Sequence, residues 1–233
     1  MFSLDNELLL EKIHGKLIVS CQALQDEPLH SSMIMGRMAL AAKQGGASGI
    51  RANSVEDILE IRKNVDLPII GIIKHDYSDS EIYITPTMTE IKALVDSPSE
   101  IVAMDATKRK RPAGASLPEM LAYVKRSGKL AMADISTLGE GVNAQELGFD
   151  LVSTTLSGYV GEKIQSDAPD FRLIEQLKDA VQIPVIAEGR IQTPQELVKA
   201  FHCGAYCAVI GSMITRPQVI TKYFVSALKG MEK

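Results

Sequence analysis

Along the whole chain, short apolar runs alternate with longer amphipathic stretches. The apolar runs are Leu17–Cys21, Ser48–Arg51, Pro68–Lys74, Glu100–Asp105, Lys129–Asp134, Asp150–Thr154, Pro184–Glu188 and Tyr206–Gly211. Most are continuous Val, Ile, Leu and Ala rather than strict alternations, as expected of strands covered on both faces in a parallel sheet. The stretches between them carry helix punctuation. Thr193-Pro194-Gln195-Glu196 offers a Thr cap, Pro at the first helical position and Glu three residues after the cap. Ser116-Leu117-Pro118-Glu119 and Asn53-Ser54-Val55-Glu56 start in a similar way. Val55, Ile58, Leu59 and Arg62 fall on helical spacing, as do Leu173, Ile174, Leu177 and Val181. Gly45-Gly46, Gly148 and Gly204 stand where helices stop ahead of strands two, six and eight.

Eight strand–helix units in unbroken succession predict a closed (β/α)8 barrel, an α/β fold, over a single domain of residues 1–233. An open doubly wound sheet is the runner-up, but no GxGxxG follows a strand. Leu67-Pro68-Ile69-Ile70-Gly71 and Ile183-Pro184-Val185-Ile186-Ala187 lie half a chain and four strands apart, an offset that a barrel of two similar halves would give. Residues 1–14, with Leu8, Leu9, Leu10 and Ile13, read as a helix before the first strand that plugs the barrel bottom.

Composition narrows the partners. A net charge of −4 gives no footprint for nucleic acid or an anionic membrane. No apolar run approaches the ~20 residues that span a bilayer. The N-terminus is acidic and lacks a basic leader region. The three cysteines, Cys21, Cys203 and Cys207, are scattered and read as buried reduced thiols, which points to the cytoplasm. Of four histidines only His75 falls near a strand's C-terminal end, so no metal site and no metal or other cofactor is expected.

In such a barrel the chemistry sits at the C-terminal ends of the strands. Here every strand ends in polar or ionisable residues: Gln22, Arg51, Lys74, Asp105, Asp134, Ser153-Thr154-Thr155, Glu188-Gly189-Arg190 and Gly211-Ser212. The loops after strands seven and eight commonly hold phosphate, and Gly189, Arg190, Gly211 and Ser212 suit it. Glycine admits close backbone N–H approach, and arginine supplies a bidentate charge. Lys108-Arg109-Lys110-Arg111 after strand four reads as a local basic loop that adds positive potential near an anionic substrate.

These strand-end motifs are Gly49-Ile50-Arg51-Ala52-Asn53, Gly71-Ile72-Ile73-Lys74, Asp105-Ala106-Thr107, Ala133-Asp134-Ile135-Ser136-Thr137, Thr154-Thr155-Leu156-Ser157-Gly158-Tyr159 and Ala187-Glu188-Gly189-Arg190. Together, over the whole chain, they resemble the N-acetylmannosamine-6-phosphate 2-epimerases of bacterial sialic-acid catabolism. The chain departs from the family pattern at Val160-Gly161, where the family favours threonine. The resemblance implies a barrel without metal or nucleotide, a homodimer, and a phosphorylated N-acetylamino sugar as substrate. It assigns proton transfer to Lys74 and Glu188, and substrate contacts to Gln22, Arg51, Asp134, Ser157 and Tyr159. Phosphate contacts fall on Gly189, Arg190, Gly211 and Ser212. Lys74 and Glu188 lie on strands three and seven, opposite one another in an eight-stranded barrel. Which of them abstracts the proton stays open, as does an ion pair between them across the barrel mouth. Two other readings compete: another phosphate-binding barrel isomerase or synthase, and a non-catalytic sugar-phosphate sensor, which needs no acid/base pair.

Overall fold

The structure is a computed structural model that describes residues 4–160 and 168–228. Helix α1 (Leu4–Ile13) precedes eight strands: β1 (Leu17–Cys21), β2 (Gly49–Asn53), β3 (Ile69–Ile72), β4 (Ile101–Asp105), β5 (Leu130–Asp134), β6 (Leu151–Ser153), β7 (Val185–Glu188) and β8 (Cys207–Ile210). The strands close into a barrel in chain order, and every neighbouring pair is parallel, β8 with β1 included. The crossovers are α2 (Ser32–Gln44), α3 (Val55–Asn64), α4 (Met88–Asp96), α5 (Leu117–Arg126), α6 (Leu138–Leu147), α7 (Phe171–Ala180) and α8 (Pro194–His202). A short α9 (Ser212–Thr215) and then α10 (Pro217–Leu228) follow β8. This is the (β/α)8 barrel that the alternating pattern predicts. Among the described residues no helix is long and apolar enough to cross a membrane.

The predicted punctuation does its work. The Thr193 hydroxyl accepts from the Glu196 N–H while the Glu196 carboxylate accepts from the Thr193 N–H, a reciprocal cap for α8. Ser116 and Ser54 cap α5 and α3 one way, their hydroxyls accepting from the Glu119 and Asp57 N–H groups. Gly148 and Gly204 take φ of 99° and 100°, the left-handed values at which an L side chain is strained.

Strand periodicity divides the apolar residues into two cores. One set, including Val19, Ile50, Val102, Ala133 and Val185, packs outward under the helices. The other, including Ile18, Ile70, Ile101, Met132, Leu151 and Val209, fills the barrel. Leu10 and Ile13 of α1 belong to the inner set, so α1 closes the bottom. The fully buried Ile13 contributes about 1.5–3 kcal/mol by burial.

β3 is shorter than the apolar run Pro68–Lys74. The chain leaves the ladder after Ile72, and Lys74 instead forms an antiparallel bridge with Ile84. The intervening residues double back over the barrel mouth, with the His75 N–H donating to Tyr83 O at 3.0 Å and the Thr85 N–H to Ile73 O at 2.8 Å. The basic run after β4 fastens this excursion. Arg109 donates to Glu81 O at 3.0 Å and Arg111 to Pro86 O at 3.1 Å. The Arg109 guanidinium also pairs with Asp105 at 2.5 Å, so it is a staple between loops and not an open positive surface.

Candidate active site

The strand ends open onto one cavity of about 760 Å3. Its floor is an ion cluster built from three strands. Arg51 of β2 reaches across the barrel interior and forks onto Asp134 of β5, Nη1 to Oδ1 at 3.1 Å and Nη2 to Oδ2 at 2.5 Å. Nη1 also donates to Glu188 Oε2 of β7 at 2.5 Å. The Thr155 hydroxyl sits between the two carboxylates, 2.7 Å from Asp134 Oδ1 and 3.2 Å from Glu188 Oε2. The side chains of Arg51 and Asp134 are 1% and 0% exposed, and that of Glu188 15%, so Arg51 lines the cavity while nearly enclosed and the glutamate is the most open of the three. Burial at this depth is tolerated because the charges are paired and hydrogen-bonded. Burial alone would lower the arginine's pKa, yet Asp134 and Glu188 hold it above its usual value. Burial and then Asp134 push the Glu188 carboxyl above the ordinary carboxylate range, against the pull of Arg51 and Thr155. The Glu188 backbone is pinned by Thr154, whose hydroxyl accepts from its N–H at 3.1 Å and donates to its carbonyl at 2.9 Å.

Lys74 stands at the edge of this cluster, held through its backbone N–H, which donates to Asn53 Oδ1 at 2.8 Å. Its ammonium has no hydrogen bond or ion pair among the described residues, and the carboxylate of Glu188 is bonded to Arg51 instead. The expected alternative of a Lys74–Glu188 ion pair is therefore absent among the described residues. Burial, then the charges of Arg51 and Arg216, bring the lysine down to about 8, against Glu188 and Glu27. An amine near neutrality both accepts and donates protons at working pH.

Gly189, Arg190, Gly211 and Ser212 come together on one wall of the same cavity. Gly189 has φ of 109°, and a side chain added at Gly211 would press on Ser20 at 3.2 Å. The Arg190 guanidinium donates through Nε to Ala168 O at 2.8 Å and through Nη1 to Ser157 O at 2.7 Å. It also lies over the Tyr159 ring, 5.2 Å from the centroid. Gly158 makes room for it, since a Cβ there would lie 2.4 Å from Nη1. Arg190 is thus tied to the loop after β6 as well as lining the cavity.

A model of the family described as "Putative N-acetylmannosamine-6-phosphate epimerase" matches residues 35–230. The chain belongs to this family. A protein of Clostridium perfringens strain SM101 named "Putative N-acetylmannosamine-6-phosphate 2-epimerase" is 60% identical over 221 residues, covering 95% of this chain and all of that one. A Clostridioides difficile protein of the same name is 55% identical, covering 95% of this chain and 99% of its own. The solved structure of the N-acetylmannosamine-6-phosphate 2-epimerase from C. perfringens superimposes with a TM-score of 0.93 at 60% identity, covering 94% of this chain and 96% of that one. Thiamine phosphate pyrophosphorylase from Pyrococcus furiosus, with a TM-score of 0.59 at 15% identity over 91% of this chain and 93% of its own, shares the fold alone.

Of the family-pattern residues, Gln22, Arg51, Lys74, Glu188 and Tyr159 line the cavity. Gln22 is buried beside Ser20, its Nε2 donating to the serine hydroxyl at 2.8 Å. Asp134 lies beneath the surface and reaches the cavity through Arg51. Ser157 turns away: its hydroxyl donates at 2.7 Å to Asp170, the cap of α7. Gly161 falls outside the described residues. Tyr83 and Arg216 also line the cavity and had no signal in the pattern. Thr155 was visible only as one hydroxyl among several at the end of β6. Tyr83 lies in a loop whose return towards Lys74 has no periodicity. Arg216, which pairs with Glu27 at 2.9 Å, comes after the last strand.

Proposed function

We propose that this chain interconverts N-acetylmannosamine 6-phosphate and N-acetylglucosamine 6-phosphate by removing and returning the C2 proton, with Lys74 and Glu188 as the proton-handling pair. The observation that carries this is a lysine without a partner among the described residues, brought to about 8, in the same cavity as a glutamate fixed by Arg51. The C2 proton is acidic only when C1 is an open-chain aldehyde. As the C2–H bond breaks, its electron pair forms the C1–C2 double bond and the carbonyl pair moves onto the C1 oxygen. A proton delivered to the other face of C2 gives the epimer. β3 and β7 stand four strands apart in the ring, so Lys74 and Glu188 approach a bound sugar from different sides. Gly189, Arg190, Gly211 and Ser212 hold the phosphate, and Gln22, Arg51, Asp134, Ser157 and Tyr159 serve substrate binding, Asp134 through Arg51 and Ser157 through Arg190.

The test is incubation of the purified protein with N-acetylmannosamine 6-phosphate in D2O, with EDTA and without nucleotide. The expected product is the gluco epimer with deuterium at C2. No product, product without deuterium, or activity lost in EDTA and restored by a divalent ion would each overturn part of the reading.

We further propose a homodimer and a cytoplasmic location. Support for the dimer comes from α10, on which Phe224 is 66% and Leu228 62% exposed. Support for the location comes from three buried, unbridged cysteine thiols. Light scattering across a dilution series tests the first.

A further inference from the structure

The excursion that carries Lys74 returns along a tightly fixed segment. Ile82 and Ile84 are 0% and 2% exposed, and Ile84 packs onto the apolar filling of the barrel. Tyr83, between them, is only half-buried and lines the cavity together with Lys74 and Glu188. Its backbone has no freedom to carry the ring elsewhere. The Tyr83 carbonyl accepts from His75, the next residue bridges to Lys74, and the Asp105 N–H donates to Ile84 O at 3.2 Å. The phenol itself is different: its hydroxyl makes no hydrogen bond among the described residues. Unlike Arg51 Nε, which is buried without a partner among the described residues, the hydroxyl is not enclosed, so it is open to a molecule in the cavity. The Thr155 hydroxyl and both Nη atoms of Arg51 are already committed to Asp134 and Glu188. Gly189 and Gly211 follow β7 and β8, four and three strands round the ring from β3, which Tyr83 follows. A sugar whose phosphate lies against the glycines presents its far end to Tyr83.

We propose that the Tyr83 hydroxyl hydrogen-bonds the C1 oxygen of the open-chain sugar and steadies the negative charge that gathers there as the C2 proton leaves. The inference rests on the reaction proposed above. No proton is transferred from the phenol; it donates a hydrogen bond that shortens as charge develops. Burial foremost, and then Asp134, lift the phenol above its ordinary range against Arg109 and Arg51, so it remains an O–H donor at neutral pH. A donor aimed at developing charge acts on turnover more than on ground-state binding.

The experiment compares wild type and Tyr83→Phe for kcat, KM, C2 exchange in D2O and thermal unfolding. The expected result is a kcat about 100-fold lower, as for loss of one donor to a developing oxyanion. Exchange should fall in proportion, with KM little changed and unfolding unaltered, since the hydroxyl has no partner among the described residues to lose. A near-wild-type kcat, or a loss confined to KM, overturns the role at C1. Wild-type protein that fails to epimerise overturns the proposed reaction itself, a different outcome from an active wild type with an indifferent Tyr83→Phe.

Discussion

Two basic side chains line the same cavity and are treated in opposite ways. Arg51 is buried, forked onto one carboxylate and bonded to a second. Lys74 is partly exposed, with no partner for its ammonium among the described residues. The residue types explain the division. A guanidinium keeps its charge at any working pH, and its planar fork matches carboxylate geometry, so it suits a fixed electrostatic element. An ammonium gives up its proton when burial and neighbouring cations penalise the charge. The floor cluster is therefore fixed in place, while Lys74 is left without a partner among the described residues, as the proposed proton exchange requires. Arg51 joins the two roles, since its charge is among the causes that bring Lys74 down to about 8.

The comparison breaks most sharply at Lys74. Lys74→Met keeps the stem and removes the titrating group, so turnover should fall by about 10²–10⁴-fold. The unfolding midpoint should hold or rise, because a partly buried cation with no partner among the described residues is deleted. Near-wild-type C2 exchange in this variant would move proton abstraction to Glu188. Glu188→Gln should lose turnover on the same scale but also stability, as it leaves Arg51 with one carboxylate fewer. Near-wild-type exchange in both variants would show that the site is misplaced.

Asp134→Asn should behave differently from both. Removing one partner of a buried ion pair typically costs about 3–5 kcal/mol, because the remaining charge stays desolvated. Chemical denaturation should register that loss, and turnover should fall with it as Arg51 loosens its hold on Glu188. An Asp134→Asn protein of wild-type stability would mean that the floor cluster is not the anchor described. A smaller effect is expected from the substrate side. Charge-assisted bonds to a phosphate contribute about 1.5–3 kcal/mol each. Unphosphorylated N-acetylmannosamine should then show kcat/KM at least about 100-fold lower. Equal turnover of the two sugars would remove Gly189, Arg190, Gly211 and Ser212 from phosphate binding.

How far the sequence reached can be judged at these same residues. The barrel was legible because eight buried strands with capped helices between them leave few arrangements, and the strand ends then place Arg51, Lys74, Asp134 and Glu188 at one mouth. Partnership was less legible. Lys74 and Glu188 are opposite by strand count, and an ion pair between them was open. The long reach of Arg51 across the interior decides the matter, and strand position says nothing about side-chain length or competition. The basic run Lys108–Arg111 carries charge that read as field for a substrate, yet Arg109 and Arg111 turn to backbone carbonyls and Asp105. Tyr83 was out of reach altogether, because the bridge from Lys74 to Ile84 that brings it back is a tertiary pairing inside a loop.

The smallest expected effect is the most direct probe of how the two basic groups communicate. Lys74 is lowered by burial, by Arg51 and by Arg216, and Arg216 is itself bonded to Glu27 at 2.9 Å. Arg216→Gln removes a cation and leaves the Glu27 charge uncompensated. Both changes favour the protonated lysine, so its pKa must rise. With the neutral amine as proton acceptor, kcat/KM in the wild type climbs with pH through about 8. In Arg216→Gln the same limb should move to higher pH. With the ammonium as the working form and Glu188 as acceptor, activity instead falls through that range, and the variant holds its activity to higher pH. The direction of the limb thus assigns the role, and its displacement identifies the group. Arg216 also lines the cavity, so the height of the profile will change with substrate affinity, and the position of the limb is the quantity to read. Low ionic strength should enlarge the displacement, because salt screens charges at partly exposed groups. A limb that stays in place in Arg216→Gln would mean that the titrating group is not Lys74.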